Sequence, residues 1–374
     1  MLFYLNLGVG LTEQEDSGLL QHYYKILVFL LGVISVVLVG FVLIELQTII
    51  IPLVVAAILS LIFDPMIAFF EKRRIPEAIS ILIVITISFL VFFVIGQLIN
   101  LNVRAFVANS TQYEERFKMV IKGVLEVFSV ASAQAKSDGV GLSNTYPTIS
   151  AIIDGLSIKS IVTATLKSVS SIVSNIFLVM IYLLFLLVGR NSLVNKLDIA
   201  FDKSTAGKMR SIALAIKKQI NKYVITKTLI SLLTGGLVGI TLWLFGLEFA
   251  FIWGLLTFML NFIPNIGSFI ATFFPLAFAL VQFDSYLTVG WVAIVLFAIQ
   301  FVIGSVLEPK IVGNSMDISP VVVLFSLIFW GYAWGIIGMI LAVPFAVLLK
   351  IIFENISGLK PIGILMSSGS KIQK

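Results

Sequence analysis

Cysteine is absent from the 374-residue sequence, and histidine occurs once, as His22. Without cysteine the chain has no disulfide framework, no thiolate nucleophile and no cysteine-based zinc site. A single histidine in the polar N-terminal stretch excludes a histidine-rich metal site, and the simplest interpretation of His22 is a solvated side chain. We therefore expect no metal centre.

Charge is also scarce. Charged residues make up 12% of the chain and hydrophobic residues 59%, whereas about a quarter of the residues in an ordinary soluble domain are charged. So few polar groups cannot cover the surface of a soluble fold. Lipid as the solvent removes this conflict, so the composition predicts an integral membrane protein with the bilayer as a partner.

The motifs of common enzymes are missing. The sequence contains no GxxxxGK[ST] phosphate loop and no GxSxG nucleophile elbow, and its carboxylates are few and scattered. We therefore expect a non-enzyme without catalytic residues or cofactors. The basic residues are not interleaved with aromatic ones, which argues against a nucleic acid partner.

The chain contains long uncharged runs of residues. A helix needs about 20 apolar residues to cross the hydrocarbon core, and a seventh run, residues 318–349, is long enough for two short helices or a hairpin. We expect an all-α polytopic membrane protein with about eight transmembrane helices plus a re-entrant hairpin, or six helices plus two hairpins. The six single runs are residues 26–44, 46–63, 78–101, 171–189, 228–247 and 285–307.

The hairpin is expected over residues 249–283, an uncharged run broken near its middle by Pro264, Asn265 and Gly267. Each arm has about 15 residues and reaches about 22 Å, which is short of the roughly 30 Å core. Such a break is tolerated only where protein or a water-filled cavity covers it. The arm lengths therefore predict a re-entrant segment rather than two spans.

Lysine and arginine in the loops predict the orientation. Lys72, Arg73 and Arg74 follow the second run, and residues 190–227 contain nine more basic residues against two aspartates. Both segments should be cytoplasmic. This orientation places both termini inside the cell and residues 102–170 outside.

These patterns divide the chain into six segments. They are a leader and three-span unit (1–101), an external segment (102–170), a fourth span (171–189), a basic cytoplasmic amphipathic segment (190–227), a transport core (228–353) and a cytoplasmic tail (354–374). The external helical segment caps a vestibule, contacts neighbouring subunits or is a solvated linker. The basic amphipathic helix, expected over 205–224, couples cytoplasmic motion to the bundle or anchors to anionic lipid.

Intramembrane polarity marks a first candidate site. Asn261, Asn265 and Ser268 lie in apolar sequence around the break that Pro264 and Gly267 create. A helix break frees backbone N–H and C=O groups, which bind an anion or a cation respectively. Side-chain amides add hydrogen bonds for a hydroxylated solute. We predict a substrate path here; the alternative is that these side chains only tie helices together.

A second polar cluster follows the last single run. Glu308 ends that run and Asp317 precedes the next, with Pro309, Gly313 and Asn314 between them. A carboxylate near a low-dielectric interior takes up and releases protons near neutral pH, so both are candidates for coupling to H⁺ or Na⁺. The alternatives are a helix-start carboxylate for Asp317 and an interfacial ion pair with Lys310 for Glu308.

The sequence resembles the autoinducer-2 exporter family of bacterial membrane proteins. The resemblance is carried by PNIGSFIATFFP and by EPKIVGNSMDISPVVVLFSLIFWGYAWGIIGMILAVPFAVLLK. It is specific around residues 261–275 and 308–345 and weak before residue 170. It implies a multi-pass, oligomeric permease of the bacterial inner membrane. Members of the family are linked to efflux of autoinducer-2, others to sodium–proton antiport, and many have no assigned substrate.

The leading hypothesis is therefore a secondary transporter that moves a small polar solute or signalling molecule, with H⁺ or Na⁺ as the coupling ion. The alternatives are a sodium (lithium)/proton antiporter, an uncoupled channel-like facilitator and a membrane scaffold, which the external segment favours. An intramembrane enzyme would need paired aspartates or a serine–histidine pair in the membrane, and neither is evident.

Overall fold

The computed structural model describes residues 8–135, 176–190, 196, 199–312, 317–356 and 358–369. Every regular element in these ranges is helical, and six of the helices are long and apolar enough to cross a membrane. The prediction of an all-α polytopic membrane protein is confirmed. Gly313, Asn314 and much of the external segment lie outside the described residues.

The helices are numbered in chain order. They are α1 (Gly8–Glu45), α2 (Gln47–Lys72), α3 (Glu77–Ala108), α4 (Ser110–Ala135), α5 (Ile176–Val188), α6 (Lys203–Leu244), α7 (Ala250–Leu260), α8 (Ile266–Gln282), α9 (Tyr286–Gln300), a π-helix (Phe301–Leu307), α10 (Glu308–Val312), α11 (Pro320–Asn355) and α12 (Lys360–Leu365).

α1 and α2 meet at a single residue, Leu46. Antiparallel helix pairs are joined by loops of about two to five residues. A single joining residue is too short for such a reversal, so α2 continues from α1 after one bend. The Leu43 carbonyl, just before this joint, accepts a hydrogen bond from Nε1 of Trp334 at 3.0 Å. How often the bent pair crosses the bilayer stays a prediction.

α2, α3 and α5 form a bundle around a buried apolar cluster that includes Ile67, Val84 and Leu183. An ionic cluster closes one end of this bundle. Arg190, just after α5, donates to the carboxylates of Asp64 (3.2 Å), Glu71 and Glu77 (3.0 Å), and Lys217 of α6 donates to Asp64 at 2.6 Å. The α2–α3 turn, the end of α5 and the N-terminal part of α6 therefore lie on the same side of the molecule.

α6 runs unbroken for 42 residues, which corresponds to about 63 Å. It therefore merges the predicted basic helix 205–224 and the predicted span 228–247 into one rod. Asp202 caps its start by accepting hydrogen bonds from two backbone N–H groups of the first turn, as N-cap aspartates commonly do. Ile220 and Val224 of its apolar stripe are buried against α2 and α11, so protein covers the C-terminal part of the stripe that predicted an interfacial helix, whereas Met209 at its start is exposed.

α7 and α8 form a helical hairpin, hereafter hairpin 1. α7 has 11 residues and α8 has 17, so both are shorter than the roughly 30 Å core at 1.5 Å per residue. Their outer ends lie side by side because the Gln282 side chain accepts from the Glu248 backbone N–H at 2.8 Å and donates to the Gly246 carbonyl at 2.8 Å. The chain break lies at the opposite end, between Leu260 and Ile266.

α11 folds back on itself at Gly335, where φ is 63° and ψ is −142°. The Ser326 hydroxyl donates to the Ala342 carbonyl at 2.7 Å, although residues 16 positions apart in a straight helix are about 24 Å apart. The Trp330 and Phe345 rings stack at 4.1 Å. Residues 320–355 are therefore a second helical hairpin, hereafter hairpin 2. Whether the run 318–349 crosses the bilayer twice or is re-entrant stays a prediction.

The two hairpins enter the helix bundle from opposite sides. Hairpin 1 begins and ends near the C-terminal end of α6, beside Gly246. From there α9, the π-helix and α10 cover 27 residues, about 40 Å, and reach the other side, where Glu308 pairs with Lys227 in the middle of α6. Hairpin 2 begins on that side, because Ile318 and Val323 pack against the apolar stripe of α6.

Candidate functional site

The tips of the two hairpins meet inside the protein. Ile263, in the connection between α7 and α8, belongs to one buried apolar cluster with Trp330, Trp334 and Leu341 of hairpin 2. Residues of α1 and α2 complete this cluster. Broken or re-entrant helices that meet near the centre of a transporter fold are a common setting for substrate and ion sites.

The hairpins are built alike at their tips. Asn265 and Gly335 both have positive φ, at 59° and 63°. The second arm then begins with a glycine whose missing side chain allows close packing: a Cβ on Gly267 would overlap the carbonyl oxygen of Leu260, and a Cβ on Gly338 would overlap that of Trp330. Each second arm also contains a buried proline, Pro275 or Pro344. Two hairpins of opposite direction thus share one construction.

Buried polar side chains follow one face of α6 towards the tip of hairpin 1. Lys227, Ser231 and Thr234 are spaced by four and three residues, and all three are buried. Asn261, at the end of α7, donates from Nδ2 to the Ser231 hydroxyl at 3.0 Å. Because polar groups inside a membrane protein are costly unless they have a role, this line is a strong functional candidate.

Lys227 forms an ion pair with Glu308 at one end of this polar line. The lysine is buried, whereas the side chain of Glu308 is 27% exposed. Glu308 directly follows the π-helix Phe301–Leu307, and π-helical turns inside α-helices are frequent at functional sites. The pair therefore combines a partly exposed carboxylate with a buried lysine.

Among the described residues, three buried side-chain oxygens near these helices have no hydrogen-bond partner, and Nε1 of Trp253 in α7 has none either. The oxygens are Oγ1 of Thr228, Oγ1 of Thr257 and Oε1 of Gln300. Thr257 lies one helical turn before Asn261, Thr228 directly follows Lys227, and Gln300 directly precedes the π-helix. A buried polar group without a partner costs free energy unless it forms a hydrogen bond with a water molecule, an ion or a ligand. These oxygens therefore mark places where a polar solute would be stabilised.

The structure brings some of the predicted site residues together. Asn261 and Glu308 lie one helical turn apart along α6, through Ser231 and Lys227. Pro264, Asn265 and Gly267 form the break itself, and the carbonyl of Ser268 accepts a hydrogen bond from Thr272 in the next turn. Pro309 follows Glu308 in α10.

Asp317 lies apart from this group, in the C-terminal part of the chain. Its carboxylate pairs with buried Lys350 at 3.0 Å and accepts hydrogen bonds from the backbone N–H and hydroxyl of Ser368. Burial works to raise the pKa of Asp317, but the bonds from Ser368 and Lys350 outweigh burial and hold the pKa below its ordinary value. Asp317 thus attaches the segment after α11 to hairpin 2.

Sequence reasoning missed Lys227, Ser231 and Lys350. Lys227 was counted with the cytoplasmic lysines, although the spacing of Lys227, Ser231 and Thr234 puts a polar stripe on one face of an otherwise apolar helix. Lys350 follows an uncharged run and gave no such pattern. Among the described residues, no three His, Cys, Asp or Glu side chains are grouped closely enough to hold a metal ion.

Comparisons with known proteins agree with this architecture. The sequence profile described as "AI-2E family transporter" matches residues 26–358. The chain is 29% identical to the AI-2 transport protein TqsA of Escherichia coli K12 over 92% of this chain and 96% of TqsA. It is 32% identical to a Borreliella burgdorferi protein that is named only provisionally as a transport protein, over 86% of this chain and 85% of that protein.

A Haemophilus influenzae protein with the same provisional name is 30% identical over 82% of this chain and 86% of its own length. The matches therefore cover both hairpins, the long helix α6 and most of the N-terminal bundle. They also agree with the absence of enzyme motifs from the sequence. The chain belongs to the AI-2E family of membrane transporters and is not an enzyme.

Proposed function

We propose that this protein is a permease of the bacterial inner membrane that moves a small polar solute between the two hairpin tips. One observation carries the proposal: hairpins from opposite sides meet at Ile263, directly beside the buried polar line of α6 and α7. In this arrangement each hairpin separates the polar line from one side of the membrane. Movement of either hairpin would open the path to that side.

The chemistry of the path favours a solute with hydroxyl groups. Asn261, Ser231 and the unsatisfied oxygens of Thr257 and Gln300 offer both donors and acceptors. TqsA, a relative over nearly its whole length, is named as an AI-2 transport protein. Autoinducer-2 is therefore the first solute to test, with export as the expected direction.

Coupling to H⁺ or Na⁺ is assigned to Glu308. Its side chain is partly exposed and its partner Lys227 is buried, so neutralising the carboxylate would leave the ammonium without its counter-charge. That change would favour a rearrangement around the π-helix. Asp317, in contrast, is assigned to anchoring, because its carboxylate contacts Lys350 and Ser368 rather than the polar line.

The orientation belongs to the same proposal. The ionic cluster around Arg190 gathers the basic α2–α3 turn and the basic N-terminal part of α6 on one side, and the positive-inside rule assigns that side to the cytoplasm. Both termini are placed there as well. A homo-oligomer is included on the strength of the family resemblance.

Two alternatives stay open within the transporter class, and a third lies outside it. A sodium (lithium)/proton antiporter would use Glu308 for the ions themselves, and a channel-like facilitator would need no coupling at all. A membrane scaffold would need neither the buried polar line nor its unsatisfied oxygens, so the structure gives this third alternative less support.

Flux in proteoliposomes tests the proposal. Candidate solutes, with autoinducer-2 first, are loaded and their efflux is followed with and without imposed pH and sodium gradients. Asn261→Ala removes the contact to Ser231, and the matched control Asn355→Ala removes an amide that bonds only within its own helix. We expect solute flux that Asn261→Ala reduces at least tenfold and that the control leaves unchanged. Equal flux in both variants would refute the assigned path.

A further inference from the structure

The outer ends of hairpin 1 are attached to a helix that the transport path does not use. Tyr113 of α4 donates from its hydroxyl to the carboxylate of Glu248, just before α7. Arg116, one turn later, donates to the backbone carbonyl of Gln282 at 2.8 Å and lies 3.7 Å from the carboxylate of Asp284. One turn of α4 therefore holds both ends of hairpin 1.

Aromatic rings surround this attachment. Phe106 of α3 and Tyr113 of α4 pack against Phe249 at the start of hairpin 1 and Phe278 near its end, with ring centroids 5.3–6.5 Å apart. Burial, and then the hydrogen bond to Glu248, raises the pKa of Tyr113 to about 12. The phenol therefore remains protonated and continues to donate throughout the neutral range.

The attachment of hairpin 2 is different in kind. Lys350 and Asp317 are both more than nine-tenths buried, and Ser368 adds two hydrogen bonds to the same carboxylate. The ionic groups at hairpin 1 are far more open, since Asp284 has 96% of its side chain exposed. Exposed ion pairs contribute little, whereas breaking a buried pair is strongly destabilising. The ionic contact at hairpin 1 is therefore weaker than the one at hairpin 2.

We propose that α4 is a strap on hairpin 1. The path opens on this side only after Tyr113 and Arg116 have broken their contacts with the ends of the hairpin. The strap rests on the proposed function, because it regulates opening of the same path. While hairpin 1 moves to open this side, Asp317 and Lys350 hold hairpin 2 in place.

The cysteine-free chain allows a direct test. Cysteines replace Tyr113 and Glu248, and a short, reducible bifunctional thiol reagent that spans a tyrosine's length joins them. A third cysteine replaces Ile263, which is 1% exposed at the tip of hairpin 1 while α4 holds the hairpin ends. An impermeant thiol reagent is applied on the α4 side, and mass spectrometry follows its reaction at position 263. Single-cysteine variants treated with the same linker are the controls.

We expect the linked strap to slow labelling at position 263 at least tenfold and reduction of the linker to restore the rate. Tyr113→Phe should speed labelling at position 263 several-fold, and Tyr286→Phe, which changes an exposed tyrosine on the same side, should not. Equal labelling rates with the linker closed and open would overturn the strap. This measurement needs no solute. An absence of flux in every variant would therefore contradict the proposed function, whereas the labelling rates alone would decide whether α4 is a strap.

Discussion

Lys227 and Glu308 form an ion pair across 81 residues of sequence, between the middle of α6 and the end of the π-helix. Lys227 is buried, and Ser231 follows it by one turn on the same helix face. The pair therefore joins the polar line of α6 to the last membrane-crossing helix before hairpin 2. A charge change at Glu308 would act on both elements at once.

The ion pair predicts an unequal response to single and double substitution. Glu308→Met should destabilise the protein by about 3–5 kcal/mol, because it leaves a buried ammonium without a partner. The double variant Lys227→Met/Glu308→Met should be within about 1 kcal/mol of wild type, since apolar side chains often replace a buried pair at little cost. Thermal unfolding in detergent measures both. If the double variant is no more stable than Glu308→Met, the loss of stability in Glu308→Met does not come from the unpaired charge of Lys227.

The close packing at both hairpin tips predicts that single methyl groups are harmful there. Gly267→Ala and Gly338→Ala each place a Cβ against a backbone carbonyl, and we expect a loss of about 1–3 kcal/mol or more from overpacking. Gly290→Ala is the matched control, because nothing lies within 4 Å of its Cβ position. It should be neutral or stabilising by up to about 1 kcal/mol. Similar melting temperatures for the three variants would contradict the close packing at the two hairpin tips.

Asp317 predicts how acid affects the C-terminal segment. Its pKa in the folded protein is below the ordinary value, so its stabilising contribution is complete above the unfolded pKa of about 4. The contribution is lost as the pH falls through the lower, folded pKa. Hydrogen exchange should show residues 358–369 protected at pH 7 and progressively less protected below about pH 4.

Asp317→Asn provides the comparison for this titration. It removes the ionisable group, so the segment should exchange faster than wild type already at pH 7, and its acid dependence should be smaller. Ser368→Ala keeps the ion pair with Lys350 and should retain the wild-type pH dependence with weaker protection. An acid response in Asp317→Asn as large as that of wild type would assign the effect to another group.

Orientation is tested with two cysteines in the cysteine-free chain. An impermeant thiol reagent added to intact cells should label Ser143→Cys and leave Ser204→Cys unlabelled, because the basic residues gather on the side of position 204. Permeabilised cells should give labelling at both positions. Labelling of 204 and not 143 in intact cells would invert the assignment.

The limits of the sequence are clearest at the two hairpins. Hairpin 1 was predictable because Pro264, Asn265 and Gly267 interrupt an apolar run whose arms are too short to span. The position of the turn at Gly335 was not predicted, because the surrounding sequence contains no proline or amide at the turn. Only the packing of Trp330 against Phe345 and of Ser326 against Ala342 resolves it.

The candidate site, too, could be predicted from the sequence only in part. Asn261 was predicted from its position in apolar sequence, but its partner Ser231 lies 30 residues away on another helix. Glu308 and Asp317 looked equivalent, since both are carboxylates at the ends of apolar runs. Their partners, Lys227 and Lys350, decide their different environments, and no spacing rule pairs residues so far apart in sequence.

The most direct test of the central claim is the gradient dependence of solute flux in proteoliposomes containing wild type or Glu308→Gln. Glutamine keeps the size and the acceptor oxygen of the side chain but not its charge. Glu354→Gln, a partly exposed carboxylate at the end of α11, is the matched control. We predict that an imposed pH or sodium gradient stimulates flux in wild type and in the control, and leaves flux through folded Glu308→Gln unchanged. Stimulation of Glu308→Gln equal to that of wild type would contradict the account.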